Sequence, residues 1–265
     1  NTFSTEPGMT NYVWSVSTGG TVSPTTGTNT VTASWSAAGL QTIFVGYTDL
    51  HGCSSSTPSS YNITINARPV NPVISGPAGA CAGSVVVYST IAGMTTYSWS
   101  VSSGGTILTN PSNHASTIQV QWNTPGEQTV GVNYTNISGC DALTPGTLTT
   151  TVYQLPVVNA VENQMVCNGS LTAAVTFSGT GTSYSWTNNQ PSIGLPATGT
   201  GNIGTFTATN TGSAAVTALI TVTPLKDNSG VLCSGATMTF SLTINPSPNV
   251  SDIPNQSACN GSVTT

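Results

Sequence analysis

Tyr97–Ile107 reads YSWSVSSGGTI, and Tyr12–Val22 reads YVWSVSTGGTV, so the chain states nearly the same eleven residues twice, 85 positions apart. A third, partial echo begins at Tyr184 with YSWTNNQPSIG. In each copy the tyrosine and the tryptophan are two residues apart, which places both on one face of a β-strand. Tyr12 with Trp14, Tyr97 with Trp99, and Tyr184 with Trp186 are therefore expected core residues, each pair filling the centre of its own small domain. A rival role as sugar-stacking platforms would require exposed rings.

Working outward, the offset grows to 87: Trp35 matches Trp122, Gly39 matches Gly126, Tyr47 matches Tyr134, and Cys53 matches Cys140. A related unit follows, because PVVNAVENQMVCNGS from Pro156 recurs as PNVSDIPNQSACNGS from Pro248, 92 residues later. A period near 90 residues fits stacked domains. The reading is a partial repeat at 1–68, whole repeats at 69–155 and 156–246, and the start of another at 247–265. With no apolar leader at one end and no natural stop at the other, the sequence reads as a fragment of something longer.

The six cysteines follow the repeat. Four pair inside the two whole repeats in three ways, and only Cys81–Cys140 with Cys167–Cys233 keeps each bridge within one repeat. That pairing is expected, with Cys53 and Cys259 lacking partners because their repeats are incomplete. Such bridges imply an oxidising compartment, hence a protein secreted or displayed outside the cell. A zinc site is a poor rival: there is no C-x-x-C pair, and His51 and His114 are the only imidazoles.

Charged residues are 3% of the chain, with two Lys and Arg against seven Asp and Glu. That leaves no basic surface for a nucleic-acid backbone, and no apolar run approaches the length of a spanning helix. Neither nucleic acid nor membrane insertion is expected. Alternating Val, Ile, Thr and aromatic runs broken by Gly, Pro, Asn and Ser predict an all-β chain. In the second repeat strands are expected at 70–75, 84–90, 97–102, 105–108, 116–122, 128–135 and 147–153, a β-sandwich with helix close to absent. Gly104 and Gly105 are expected at a turn of positive φ. Proline at each boundary predicts stiff links and an extended rod of tandem sandwiches, each about 40 Å long.

Asp49, His51 and the abundant serines permit a hydrolase triad on paper. The matching positions in the next repeat are Asn136 and Ser138, so the pair belongs to a variable loop. No catalytic residue, cofactor or metal site is assigned. The remaining acids are scattered, and Lys226 is the only lysine, which excludes a Lys–Asn isopeptide in every repeat.

Y-x-W before Gly-Gly, V-x-W on a later strand, Gly-Cys after the sixth strand, and C-x-G at Cys81, Cys167 and Cys259 together resemble the PKD-like and Ig-like repeats of giant Bacteroidota cell-surface adhesins, the gliding-motility adhesin SprB type. The third repeat departs from the pattern, lacking Gly-Gly and carrying Phe206 near the second tryptophan. The resemblance implies type IX export, outer-surface display, and a non-enzymatic stalk in adhesion or gliding. The partners it implies are surface polysaccharide, another cell-surface protein, or neighbouring repeats. Accessory carbohydrate-binding or spacer modules of a secreted enzyme, and a structural surface fibre, are the alternatives.

Overall fold

A computed structural model of the chain describes residues 1–108, 115–250, 252, 255 and 257–263. His114 and parts of the last repeat lie outside these residues. Among the described residues every regular element is a strand except for one short 3-10 turn, Pro191–Ile193. The chain divides into two compact units, one holding Asn1–Ala78, Val85–Asn123 and Glu127–Thr150, the other Gly79–Ser84, Thr124–Gly126 and Thr151–Thr265.

In the first unit the opening repeat places β1 (Thr2–Ser4), β4 (Thr30–Trp35) and β3 (Gly20–Ser23) in one antiparallel sheet. Strands β2 (Thr10–Val16), β5 (Gly39–Thr48) and β6 (Ser59–Ile65) form another. Strict alternation turns Tyr12 and Trp14 of β2, Val31 and Ala33 of β4, and Ile43 and Val45 of β5 inward to one core.

The same unit carries most of the second repeat. Here β8 (Val85–Ser89), β11 (Thr117–Trp122) and β10 (Gly105–Ile107) make one sheet. Strands β9 (Thr96–Val101), β12 (Gly126–Thr135) and β13 (Gly146–Tyr153) make the other; β7 (Gly79–Cys81), which falls with Thr151–Tyr153 in the second unit, lies parallel on the end of β13. Six of the seven expected strands sit within two residues of their predicted bounds. The first does not: 70–75 is irregular, and its β-pairing is the isolated Ser75–Ser89 bridge. Pro69, Pro72 and Pro77 lack the N–H that a ladder needs, so regular pairing waits until Gly79.

Neither Gly104 nor Gly105 adopts positive φ, although Gly19, the counterpart of Gly104, does at 83°. Close approach demands the two glycines instead. A Cβ on Gly104 would stand 2.4 Å from the Gln128 amide, and one on Gly105 would stand 2.4 Å from the Trp122 ring.

The second unit is built on the thirteen-residue β17 (Val216–Asn228), flanked by β19 (Met238–Asn245) and β15 (Ser183–Asn188). Strand β14 (Gln164–Cys167) runs parallel on β19, β16 (Thr198–Thr200) pairs with β15, and β18 (Val231–Ser234) pairs with the end of β17. Ser229 and Gly230, both at positive φ, close the β17–β18 hairpin as a two-residue turn whose twist matches its strands. Opposite the sheet, isolated bridges Leu171–Thr207 and Val175–Ile203 replace regular strands. The core gathers Trp186, Ile220, Val222, Phe240 and Leu242, with Phe206 partly buried against it.

Candidate functional site

The repeated motif fixes the same set of hydrogen bonds twice. The Tyr12 hydroxyl donates to Glu6 O (2.7 Å) and accepts from Met9 N (2.9 Å); the Tyr97 hydroxyl donates to Ile91 O (2.9 Å) and accepts from Met94 N (3.1 Å). Each tyrosine thereby ties down the loop that precedes its own strand. Trp14 Nε1 donates to Thr28 O and Trp99 Nε1 to Ala115 O, both at 2.9 Å. Tyr12, Trp14, Tyr97, Trp99 and Trp186 are buried. Tyr184 is only partly buried, in tilted contact with Phe177 at 5.6 Å between ring centres. Rings buried in this way offer no platform to a sugar.

The second tryptophan differs between repeats for a one-atom reason. Trp122 Nε1 donates to the Tyr88 hydroxyl at 2.9 Å. That hydroxyl lies 2.7 Å from Thr150 Oγ1, which donates to Pro77 O at 3.0 Å. Because the threonine hydrogen is spent on Pro77, the tyrosine donates to the threonine, giving an unbroken buried relay. The first repeat has Phe3 in place of Tyr88, with the same edge-on ring contact to its tryptophan. Without the hydroxyl, Trp35 Nε1 turns to Ser17 Oγ at 3.2 Å.

Acid–base groups cluster weakly. Thr5 hydrogen-bonds the exposed Glu6 carboxylate and holds it below the usual carboxylate range. The Glu6 charge in turn raises the Tyr47 phenol. In the second repeat Ile91 replaces Glu6, and burial, with Tyr97 beside it, raises Tyr134 instead. Asp49 Oδ1 accepts from His51 N (2.9 Å) and Cys53 N (2.8 Å), while Asn136 Oδ1 accepts from Ser138 N and Cys140 N, both at 3.0 Å. The side chain of residue 49 or 136 thus closes a tight turn before each late cysteine. His51 lies 3.8 Å from the Asp49 carboxylate and is otherwise open to solvent. Among the described residues no three His, Cys, Asp or Glu side chains converge on a metal position, and no helix is long and apolar enough to cross a membrane.

The cysteines correct the expected pairing. Cys81 bonds to Cys233, across a separation of 152 residues, and Cys140 and Cys167 are free thiols, as are Cys53 and Cys259. Neither Cys81–Cys140 nor Cys167–Cys233 forms. The cause is strand placement. β7 lies parallel on β13 with Cys81 opposite Tyr153, the last residue of that strand, so the thiol is carried away from the 136–140 turn and to β18. The bridge therefore links an early cysteine of one sequence repeat to the late cysteine of the next. Spacing alone could not reveal this, because both schemes match an early cysteine with a late one. The proline-rich start of each repeat, which delays the first strand, was the available signal.

Paired sheets with two-residue alternation and no regular helix define an Ig-like all-β fold. Residues 68–149 match the PKD-like domain family. Structural similarity extends to the FdeC adhesin of Escherichia coli, at 15% identity over 91% of this chain and 87% of that one, with a TM-score of 0.35. The fibronectin(III)-like modules of Clostridium thermocellum CbhA align at 11% identity over 69% of this chain and all of theirs, with a TM-score of 0.32. The human desmocollin-1 ectodomain aligns at 10% identity over 91% of this chain and 56% of its own, with a TM-score of 0.24. No curated protein matches the chain in sequence.

Proposed function

We propose that this chain is a non-enzymatic stalk segment of a large secreted cell-surface adhesin, built of repeats at 1–68, 69–155, 156–246 and 247–265. The observation that carries this reading is the PKD-like match at 68–149 together with the duplication of the same internally satisfied core in the preceding repeat. The motif resemblance to giant Bacteroidota adhesins extends the proposal to type IX export, outer-surface display, and adhesion or gliding, with surface polysaccharide or another surface protein as partner. The Cys81–Cys233 bridge supports an oxidising location. It also suits a load-bearing element, because tension applied at the ends passes through the bridge and bypasses residues 82–232.

Labelling of intact, unpermeabilised cells with antibody against the purified chain tests the proposal. Surface labelling lost on mild external proteolysis is expected. Recovery of the protein only from inside the cell would contradict it.

A further inference from the structure

Three strands of the whole repeats carry a short strand on their outer side: β7 on β13, β14 on β19, and β18 on the end of β17. β8 carries none. It pairs with β11 on one side and ends the sheet β10-β11-β8 on the other. Its β-pairing along that outer side is with Ser75, which exchanges both main-chain hydrogen bonds with Ser89 at 2.8 and 2.9 Å. The next rung of such a ladder would fall at Pro77, which has no N–H, and Pro77 O already accepts from Thr150 Oγ1 at 3.0 Å. Main-chain groups alternate from side to side along an antiparallel strand, so those of Val87 and Val85 point the same way as those of Ser89. Among the described residues no strand pairs with them there.

This open stretch is apolar, uncharged and complementary to itself. Val85 and Val87 are 47% and 51% exposed and share the outer face of the strand. No charged side chain stands on β8, β11 or β10, and β8 has neither the lysine, the proline nor the bulge with which edge strands block their own association. Laid antiparallel on a second β8 with Val86 at the centre, Val85 faces Val87 of the second copy, and Val87 faces its Val85. Both are hydrogen-bonded pairs, so the outward main-chain groups of these valines are all met. The exposed side chains meet across the seam, valine against valine. The register is bounded at both ends. β8 begins at Val85, two residues after the turn at Gly83 (φ 81°), so the second strand ends before the position that Ser75 holds. Centring on Val87 instead would set Val85 opposite Ser89, whose outer side Ser75 occupies; centring on Val85 would leave Val87 unpaired.

We propose that the outer edge of β8 is a homophilic docking site, where the same edge of a second copy of this chain adds in antiparallel register and joins the two three-stranded sheets into one. The contact is isologous and closes on itself, so it makes pairs and not open ladders. An edge this short gives a weak, reversible contact. It depends neither on where the chain is displayed nor on its role as a stalk.

Sedimentation velocity of the purified 265-residue chain, with free thiols alkylated so that no new disulfide joins copies, is followed over rising concentration together with amide hydrogen exchange resolved by NMR. A reversible shift from monomer toward dimer is expected. The Val85 and Val87 amides exchange freely in dilute solution and become protected as the dimer forms, while Val86, bonded to β11, is protected throughout. Val87→Pro removes an N–H that the monomer leaves unused, and Val87→Lys brings like charges to the seam. Each should hold the chain monomeric where the parent pairs, and Val87→Lys should keep the parent's thermal midpoint. Leu171→Lys, the same change at a residue 67% exposed in the other unit, leaves pairing intact. Chains that stay monomeric throughout, dimers that survive Val87→Lys, or dimers whose Val85 and Val87 amides still exchange freely would overturn the inference.

Discussion

The Tyr88 hydroxyl decides what the Trp122 indole can bond to. It is the middle of a buried relay, so Tyr88→Phe strands the Trp122 N–H and removes the donor to Thr150. A loss of about 1–3 kcal/mol is expected in urea unfolding followed by tryptophan fluorescence, the cost typical of an orphaned buried group. Trp186 offers the contrast: its Nε1 is buried with no hydrogen-bond partner among the described residues. Trp186→Phe therefore gives up packing but no hydrogen bond, and should destabilise less than Trp122→Phe in the same assay. Equal losses would remove the relay from the account. Tyr134 adds a pH dependence. Its phenol is raised above the ordinary value of about 10, chiefly by burial. The folded state thus favours the neutral phenol. Stability from this group is complete below about pH 10 and is lost as pH rises through the folded value. Alkaline unfolding of Tyr134→Phe should show a shallower decline above that pH. Part of its stability at neutral pH should also go, with the hydrogen bond from Tyr134 Oη to Val70 O at 2.8 Å.

At the scale of elements, the strands that were legible in the sequence are those whose alternation decides burial. Tyr97 and Trp99 on β9, or Ile118, Val120 and Trp122 on β11, can face only one core. β7 was not legible, because three residues, Gly79–Cys81, carry no periodicity and the proline-rich run before them reads as strand by composition. The disulfide went with it, since the partner of Cys81 follows from where β7 lies and not from the spacing of cysteines. Glycine at 104 and 105 was read correctly as required but for a turn angle, whereas the Gln128 and Trp122 side chains above them are the cause. The bridge closes a span of 152 residues, which by chain entropy contributes about 5 kcal/mol. A double Cys81→Ala, Cys233→Ala variant should lose up to that amount in denaturant unfolding. Cys140→Ala and Cys167→Ala should change little.

Over the whole molecule, the covalent path between the termini skips residues 82–232 while the bridge is intact. Pulling on the two ends should therefore extend the oxidised chain to roughly 400 Å and the reduced chain to roughly 900 Å, at about 3.5 Å per residue. Equal lengths under both conditions would deny the bridge a mechanical role. The clasp takes residues 82–232, Trp99 and Trp186 among them, out of the covalent load path while it is intact. It also leaves the low charge of the chain, −5 over 265 residues, to provide little repulsion between neighbouring copies.

The central claim is that Cys81 pairs with Cys233, 152 residues on, and not with Cys140. Proteolysis of the purified chain without reductant, with free thiols blocked beforehand, tests it most directly by mass spectrometry. A linked peptide pair containing Cys81 and Cys233, with Cys140 and Cys167 carrying the blocking group in monomeric chains, is the predicted result. Linked peptides joining Cys81 to Cys140 and Cys167 to Cys233 would contradict it.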